Sequence, residues 1–168
     1  IDPRKGEQGW KSAFSHEGEV IQPGYQRVFL EDFDTWVEMT STDRVALYRM
    51  TYTRPAEAEI LLSLGGWLGS VSMVGADVRK VSDTKIEGSI GTTDRLWGGP
   101  QLTRIFFVVE FDKSMSRFSG WKGQERLEEV SELKVPIKEG RLDKMQNYLF
   151  QHFPEEQTGV AAGFDVEA

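Results

Sequence analysis

Trp36-Val-Glu-Met-Thr-Ser-Thr-Asp-Arg-Val-Ala-Leu-Tyr-Arg-Met-Thr-Tyr-Thr-Arg-Pro-Ala-Glu-Ala-Glu-Ile-Leu-Leu-Ser-Leu64 is the stretch that decides the fold class. It reads as three successive strands. The first ends near Met39, where Ser41-Thr42-Asp43-Arg44 brings short hydroxyls and a carboxylate that bond locally to backbone N–H groups and favour a turn. The second, Val45 to Thr53, is rich in β-branched and aromatic residues. Val45 and Leu47 fall on one face of it, and Ala46, Tyr48, Met50 and Tyr52 on the other. Apolar residues on both faces predict a strand inside a sheet that is covered on both sides for much of its length. Pro55 has no N–H to give a ladder, so the strand stops at Arg54-Pro55. Ile60 to Leu64 is then a short, continuous apolar run flanked by turns, the mark of a buried strand.

Outward from this core the pattern continues. Pro23-Gly24 marks a turn before a strand from Tyr25 to Leu30, and Trp10 and Phe14 are expected to anchor the polar leading segment. Ser70 to Val81 and Thr84 to Ile90 read as strands around a Ser82-Asp83 turn, followed by a long loop from Gly91 to Gln101. Leu102 to Phe111 is the strongest strand signal, and Ile105-Phe-Phe-Val-Val109 predicts a central strand of a layered sheet. Phe118 and Trp121 belong to the next strand, and Val160 to Val166 to the last. Between them Leu127, Val130 and Leu133 recur every third residue, and Leu142, Met145 and Leu149 share a helical stripe ended by Pro154. The expected architecture is a mainly β, antiparallel two-sheet β-sandwich over residues 1–168, one domain, with a partly helical insertion at 125–157.

Composition narrows the function. A chain of 168 residues can bury roughly 70% of its unfolded surface without staples. It has no cysteine, which excludes disulfides, thiolate zinc sites and a cysteine nucleophile and leaves the compartment open. With 27 acidic against 20 basic residues the net charge is −7, so nucleic acid is not an expected partner. The longest apolar runs, Ile60–Leu64 and Ile105–Val109, fall far short of the roughly 20 residues of a membrane span. The start at Ile1 in a polar segment and the finish inside a predicted strand lead us to expect a piece of a longer protein.

Few side chains invite chemistry. His16 and His152 stand far apart and neither has a ligand-spaced partner, so no metal site is expected. The acidic clusters Glu31-Asp32-Asp34 and Glu128-Glu129-Glu132 read as solvated charge, because neither has the alternating oxygens and central glycine of a calcium loop. Gly65-Gly66-Trp67-Leu68-Gly69 and Trp97-Gly98-Gly99-Pro100 lack the lysine of a phosphate loop and the nucleotide fingerprint. Their tryptophans are better suited to sugars, whose C–H faces stack on aromatic rings while their hydroxyls need polar neighbours. Asp94, Arg95 and Trp97 in one loop, with Trp67 in the other, are the candidate substrate-binding residues; Trp121 is a weaker one. No catalytic residue is assigned.

Several segments in register carry a resemblance. Phe14-Ser-His-Glu-Gly-Glu-Val-Ile-Gln-Pro-Gly-Tyr25 and Val37-Glu-Met-Thr-Ser-Thr-Asp-Arg-Val-Ala-Leu-Tyr-Arg-Met-Thr-Tyr52 resemble the N-terminal domain of glycoside hydrolase family 92. Ser82-Asp-Thr-Lys-Ile-Glu-Gly88, Leu96-Trp-Gly98 and Ile105-Phe-Phe-Val-Val-Glu-Phe-Asp-Lys113 follow in the same order, over residues 12–121 and again at 159–168. The resemblance implies a β-supersandwich of the galactose-mutarotase type from a calcium-dependent, inverting, exo-acting α-mannosidase of the α-1,2 kind, exported by bacteria to the periplasm or beyond. It further implies a partner domain of α-helical barrel form, C-terminal in the same protein, which holds the general acid, the general base and most calcium ligands. The N-terminal part would then close one side of a pocket for mannosides or N-glycan. No catalytic residue transfers to this chain, and the domain alone is expected to be inactive; Trp97 matches a family tryptophan and Arg95 is its neighbour. The family's leading glycine-phenylalanine-serine-histidine-threonine-histidine segment has no counterpart here, and 125–157 is longer than the family pattern. A stand-alone carbohydrate-binding module and a protein-interaction sandwich are the competing readings from other classes.

Overall fold

Side-chain alternation along the strands sorts the chain into three antiparallel sheets in the computed structural model, which describes residues 2–65, 67–68, 71–94, 101–136 and 158–167. The leading sheet runs in order β1 (Val20–Gln22), β2 (Tyr25–Leu30), β3 (Thr35–Ser41) and β4 (Ala46–Tyr52). Its turns use the chemistry expected of them. Gly24 takes φ +76° between β1 and β2, a conformation that costs a side chain but not glycine. Thr42 donates its N–H to the Val45 carbonyl and accepts the Val45 N–H on its hydroxyl, closing the β3–β4 hairpin.

After Pro55 the chain leaves this sheet. β5 (Ala56–Ser63) joins a middle sheet with β10 (Arg117–Lys122), β11 (Glu125–Leu127) and β13 (Thr158–Val166), in the order β11-β10-β13-β5. The third sheet holds the long strands β7 (Val71–Ser82), β8 (Lys85–Asp94) and β9 (Gln101–Glu110), with β12 (Glu132–Val135) and the two-residue β6 (Trp67–Leu68) both on β7.

The core lies between the middle and long sheets, so the β-sandwich read from sequence is the observed architecture. Leu62, Val160 and Gly120 form one cross-strand row of the middle sheet, and Ile60, Ala162 and Phe118 the next. They meet Met73, Ala76, Val78 and Ile86 of the long sheet. Val78, Ile86 and Val160 are fully buried, and burying such a side chain contributes about 1.5–3 kcal/mol relative to leaving it in water. Gly88 is needed at this packing: a Cβ there would overlap the Asp77 carbonyl oxygen. The leading sheet turns one face toward the outer side of the middle sheet.

Four expectations are corrected. Among the described residues β4 is an edge strand, not a covered one: Leu47 is 62% exposed and Tyr48 53%. Among the described residues β9 is also an edge, with β8 as its neighbour in the sheet, and Phe106 is 73% exposed. The stretch Glu125–Val135 is not helical. Leu133 pairs with Val78 and is buried in the sandwich, while Leu127 and Val130 pack against the same core, so tertiary burial and not helical spacing explains their recurrence. The second half of that segment, including Leu142, Met145, Leu149 and Pro154, lies outside the described residues. Lastly, the stretch expected to be loop from Gly91 is strand as far as Asp94, because β8 extends to pair Thr93 with Leu102 and Asp94 with Gln101.

Candidate functional site

Of the candidate sugar contacts, Trp67 and Asp94 fall among the described residues, and the strand register gives the place of their backbones. Trp67 pairs with Ser72, Ser72 with Thr93, and Thr93 with Leu102, which puts four strands on one cross-strand row. Asp94 and Gln101 form the next pair and bracket residues 95–100. The Trp67 segment and the Asp94 loop therefore share one end of the long sheet, although 27 positions separate them in sequence (94 − 67). Arg95 and Trp97 lie outside the described residues.

The other candidates have structural partners. His16 shares a hydrogen bond of 2.6 Å with Glu19 on the surface; His152 lies outside the described residues. Asp32 accepts the Ala13 N–H at 2.7 Å, and Asp34 pairs with Arg54 beside a left-handed turn of φ 47°. Glu128 meets Arg126 at 3.2 Å and Glu132 meets Lys134 at 2.8 Å. Among the described residues no three acidic or histidine side chains gather as a metal cage. Trp10 is half-buried as expected of an anchor, whereas Phe14 stands 47% exposed with its ring 5.2 Å from His16.

Sequence reading missed a second feature, a half-open cleft of about 640 Å³ between the leading and middle sheets. Its roof is the inner face of the leading sheet, with Leu30, Thr35, Val37, Met50 and Tyr52. Its floor is the outer face of the middle sheet, where three cross-strand rows run Ser63-Gly159-Trp121, Leu61-Ala161-Ser119 and Glu59-Gly163-Arg117. In these three rows the central strand contributes only glycine and alanine, which makes room for side chains from its neighbours. Trp121 folds over Gly159 and Arg117 over Gly163. Trp10 closes the side, held by a strap in which Gln124 donates to the Arg4 carbonyl at 3.0 Å and Ser12 accepts the Asp32 N–H at 3.0 Å. Burial raises the Tyr52 phenol above its usual pKa, so it is a neutral hydroxyl at physiological pH. The floor residues come from three strands far apart in sequence, and the one signal for them was the Gly-x-Ala-x-Gly alternation of β13.

A family model described as the glycosyl hydrolase family 92 N-terminal domain matches residues 1–167. The chain belongs to that family. No curated protein matches it closely enough to count. Among solved structures, the family 92 alpha-mannosidase BT3965 from Bacteroides thetaiotaomicron, in complex with mannoimidazole, superposes with TM-score 0.71 at 22% identity over 96% of this chain. The inverting mannosidase BT2199 from the same organism gives 0.64 at 15% identity over 94%, and the family 92 glycosyl hydrolase ccman5 gives 0.64 at 15% over 92%. At such identities the likeness speaks for the fold. The family 92 chain spans about a fifth of the length of these proteins, between 17% and 19%.

Proposed function

We propose that this family 92 domain is the sugar-facing, non-catalytic part of an exported, exo-acting, inverting α-mannosidase. The observation that carries the reading is the family match across residues 1–167. Placement supports it: the register brings Trp67 and Asp94 to one end of the long sheet, the end at which this reading puts the mannoside. Inversion requires two carboxyls roughly 6.5–9.5 Å apart on opposite sides of the scissile bond. Both belong, in this reading, to a helical domain elsewhere in the longer protein. So, in this reading, does the calcium.

The exposed face of β9 supports a domain contact. Phe106 and Val108 project from the outer face at 73% and 56% exposure, and Ile105, on the inner face, is 53% exposed. A long apolar edge strand left in water invites aggregation, so native proteins cover it. We read this face as packing against the remainder of the enzyme. No helix among the described residues is long and apolar enough to cross a membrane. The test is α-mannosidase turnover by the 168-residue chain and by the longer protein that contains it. Turnover confined to the longer protein, and lost when Asp94–Pro100 is replaced by a Gly-Ser linker, is the expected result. Hydrolysis by the isolated chain would overturn the non-catalytic assignment.

A further inference from the structure

The outer face of the long sheet holds a depression beside the exposed edge of β9. Asp77, Ser89 and Phe106 are successive cross-strand partners on β7, β8 and β9, so their side chains share that face. Neighbouring strands lie about 4.8 Å apart, which sets the Asp77 and Phe106 backbones roughly 10 Å from each other with the short Ser89 between them. The row therefore dips at its middle. With Arg79, Glu87, Val108, Glu132 and Lys134 it lines an open depression of about 430 Å³.

The charges in the depression do not balance. Arg79 donates from its Nε to Glu87 at 2.7 Å, and Lys134 donates to Glu132 at 2.8 Å. Asp77 is a third acid against these two bases, which leaves one negative charge in excess. Lys134 faces it across the β7–β12 ladder but is committed to Glu132. Among the described residues the half-buried Asp77 side chain has no hydrogen bond and no ion pair, and its oxygens are open to solvent. At the other end of the row the Phe106 ring is 73% exposed. These two groups select what covers them. Asp77 repels an anion. A neutral apolar group would cover Phe106 and strip water from a carboxylate that nothing then answers, which is costly. An ammonium answers the carboxylate as a compact, strongly hydrated charge. A guanidinium does both tasks, because its planar fork matches a carboxylate with two N–H bonds while its face stacks on an aromatic ring.

We infer that this depression receives an arginine side chain from the polypeptide that covers β9, its guanidinium seated over Ser89, paired to Asp77 and stacked on Phe106. This rests on the reading of β9 as a covered edge and adds the chemistry of the cover. The row lies four residues along β8 from Thr93 (93 − 89), roughly 13 Å from the end at which the mannoside is placed, so the arginine belongs to the contact between parts of the protein and not to the sugar pocket.

The test is a titration of the 168-residue chain with N-acetylarginine methylamide, its lysine and norleucine counterparts, and N-acetylglutamate. The readout is the Ser89 amide resonance in a serine-labelled sample, assigned by its loss in Ser89→Ala. The expected result is saturable movement with the arginine compound, several-fold weaker binding of the lysine compound, and no movement with the other two. Asp77→Asn, which keeps the shape of the side chain, should weaken arginine binding about tenfold, the scale of a charge-assisted pair. Phe106→Leu should weaken it about threefold, the scale of an exposed cation–π contact. Both variants should leave the rest of the spectrum in place. In the longer protein the depression is already filled, so the arginine compound should leave the Ser89 resonance unmoved. Four results would overturn the inference: no movement with the arginine compound at about 50 mM (some five times a 10 mM Kd), equal or tighter binding of any of the other three, arginine binding unchanged in Asp77→Asn or in Phe106→Leu, or equal binding in the longer protein. Turnover plays no part in this readout. Hydrolysis by the isolated chain would overturn the non-catalytic assignment and leave the arginine pocket standing, and a failed titration would leave the mannosidase reading standing.

Discussion

β9 and β13 exchange the places that their sequences suggest. β9 carries Ile105-Phe-Phe-Val-Val109, the most apolar run of its length in the long sheet, yet it forms that sheet's edge with Phe106 projecting into solvent. β13 carries Thr158-Gly-Val-Ala-Ala-Gly-Phe-Asp-Val166, with glycine or alanine at four of its nine positions, yet it is a central strand of the middle sheet and is buried from Thr158 to Phe164. Small side chains are what allow a strand to be closed in on both faces: Val160, Ala162 and Phe164 fill the core while Gly159 and Gly163 admit Trp121 and Arg117 on the other side. Hydrophobicity measures how much a strand gains from being covered. It does not say that the cover comes from its own chain.

The largest expected effect sharpens that contrast. Phe164 is buried with its ring 5.0 Å from Phe111 in edge contact, and Phe164→Ala should cost about 3–5 kcal/mol in urea unfolding. Phe106→Ala, at a site 73% exposed, should change the stability of the same chain by less than about 1 kcal/mol. If the two substitutions cost the same in the isolated chain, β9 is not a free edge there. In the longer protein Phe106→Ala should become much more costly, which measures the cover directly.

A smaller effect is expected on the opposite face of β13. A Cβ at Gly159 would overlap both the Leu62 carbonyl oxygen and the Trp121 ring. Gly159→Ala should therefore destabilise by about 1–3 kcal/mol through overpacking, with a change in tryptophan fluorescence as the Trp121 ring is displaced. A neutral substitution would mean that the leading and middle sheets separate easily, and the cleft between them would then be poorly formed.

Strand positions were legible wherever turn chemistry was strong. Pro23-Gly24, Thr42 to Val45, Pro55 and Ser82-Asp83 each end an element because their backbone preferences are local. Sheet membership was not legible. Nothing local to Arg54-Pro55 says that β5 will leave the leading sheet and pair with β13, about a hundred residues later (166 − 56). The helical spacing of Leu127, Val130 and Leu133 misled because three contacts to one core can recur every third residue across a bend as well as along a helix. Of the candidate site, the shared end of Trp67 and Asp94 followed once the register was known. The cleft could not be foreseen, since Trp10, Glu59, Arg117 and Trp121 become neighbours only through the stacking of two sheets.

The smallest expected effect sits at the far end of the β8–β9 hairpin and asks how much electrostatics helps to hold the free edge. Lys85 and Glu110 are opposite each other and 2.8 Å apart. The hydrogen bond from Lys85 holds the Glu110 carboxyl below its usual pKa, and the same bond holds the Lys85 ammonium above its own. A depressed carboxylate favours the folded state when ionised, so Glu110's contribution is present at neutral pH and is lost as pH falls through the acid range. The raised lysine works the other way, contributing at neutral pH and losing its share as pH climbs past the usual lysine range. Both groups are on the surface, so salt should weaken the pair. Carboxyl-detected NMR should place the Glu110 midpoint below that of an unpaired glutamate, and Lys85→Met should return it to the ordinary value. If the midpoint stays put in Lys85→Met, cross-strand charge does nothing for β9. The edge would then be held by its ladder to β8 alone.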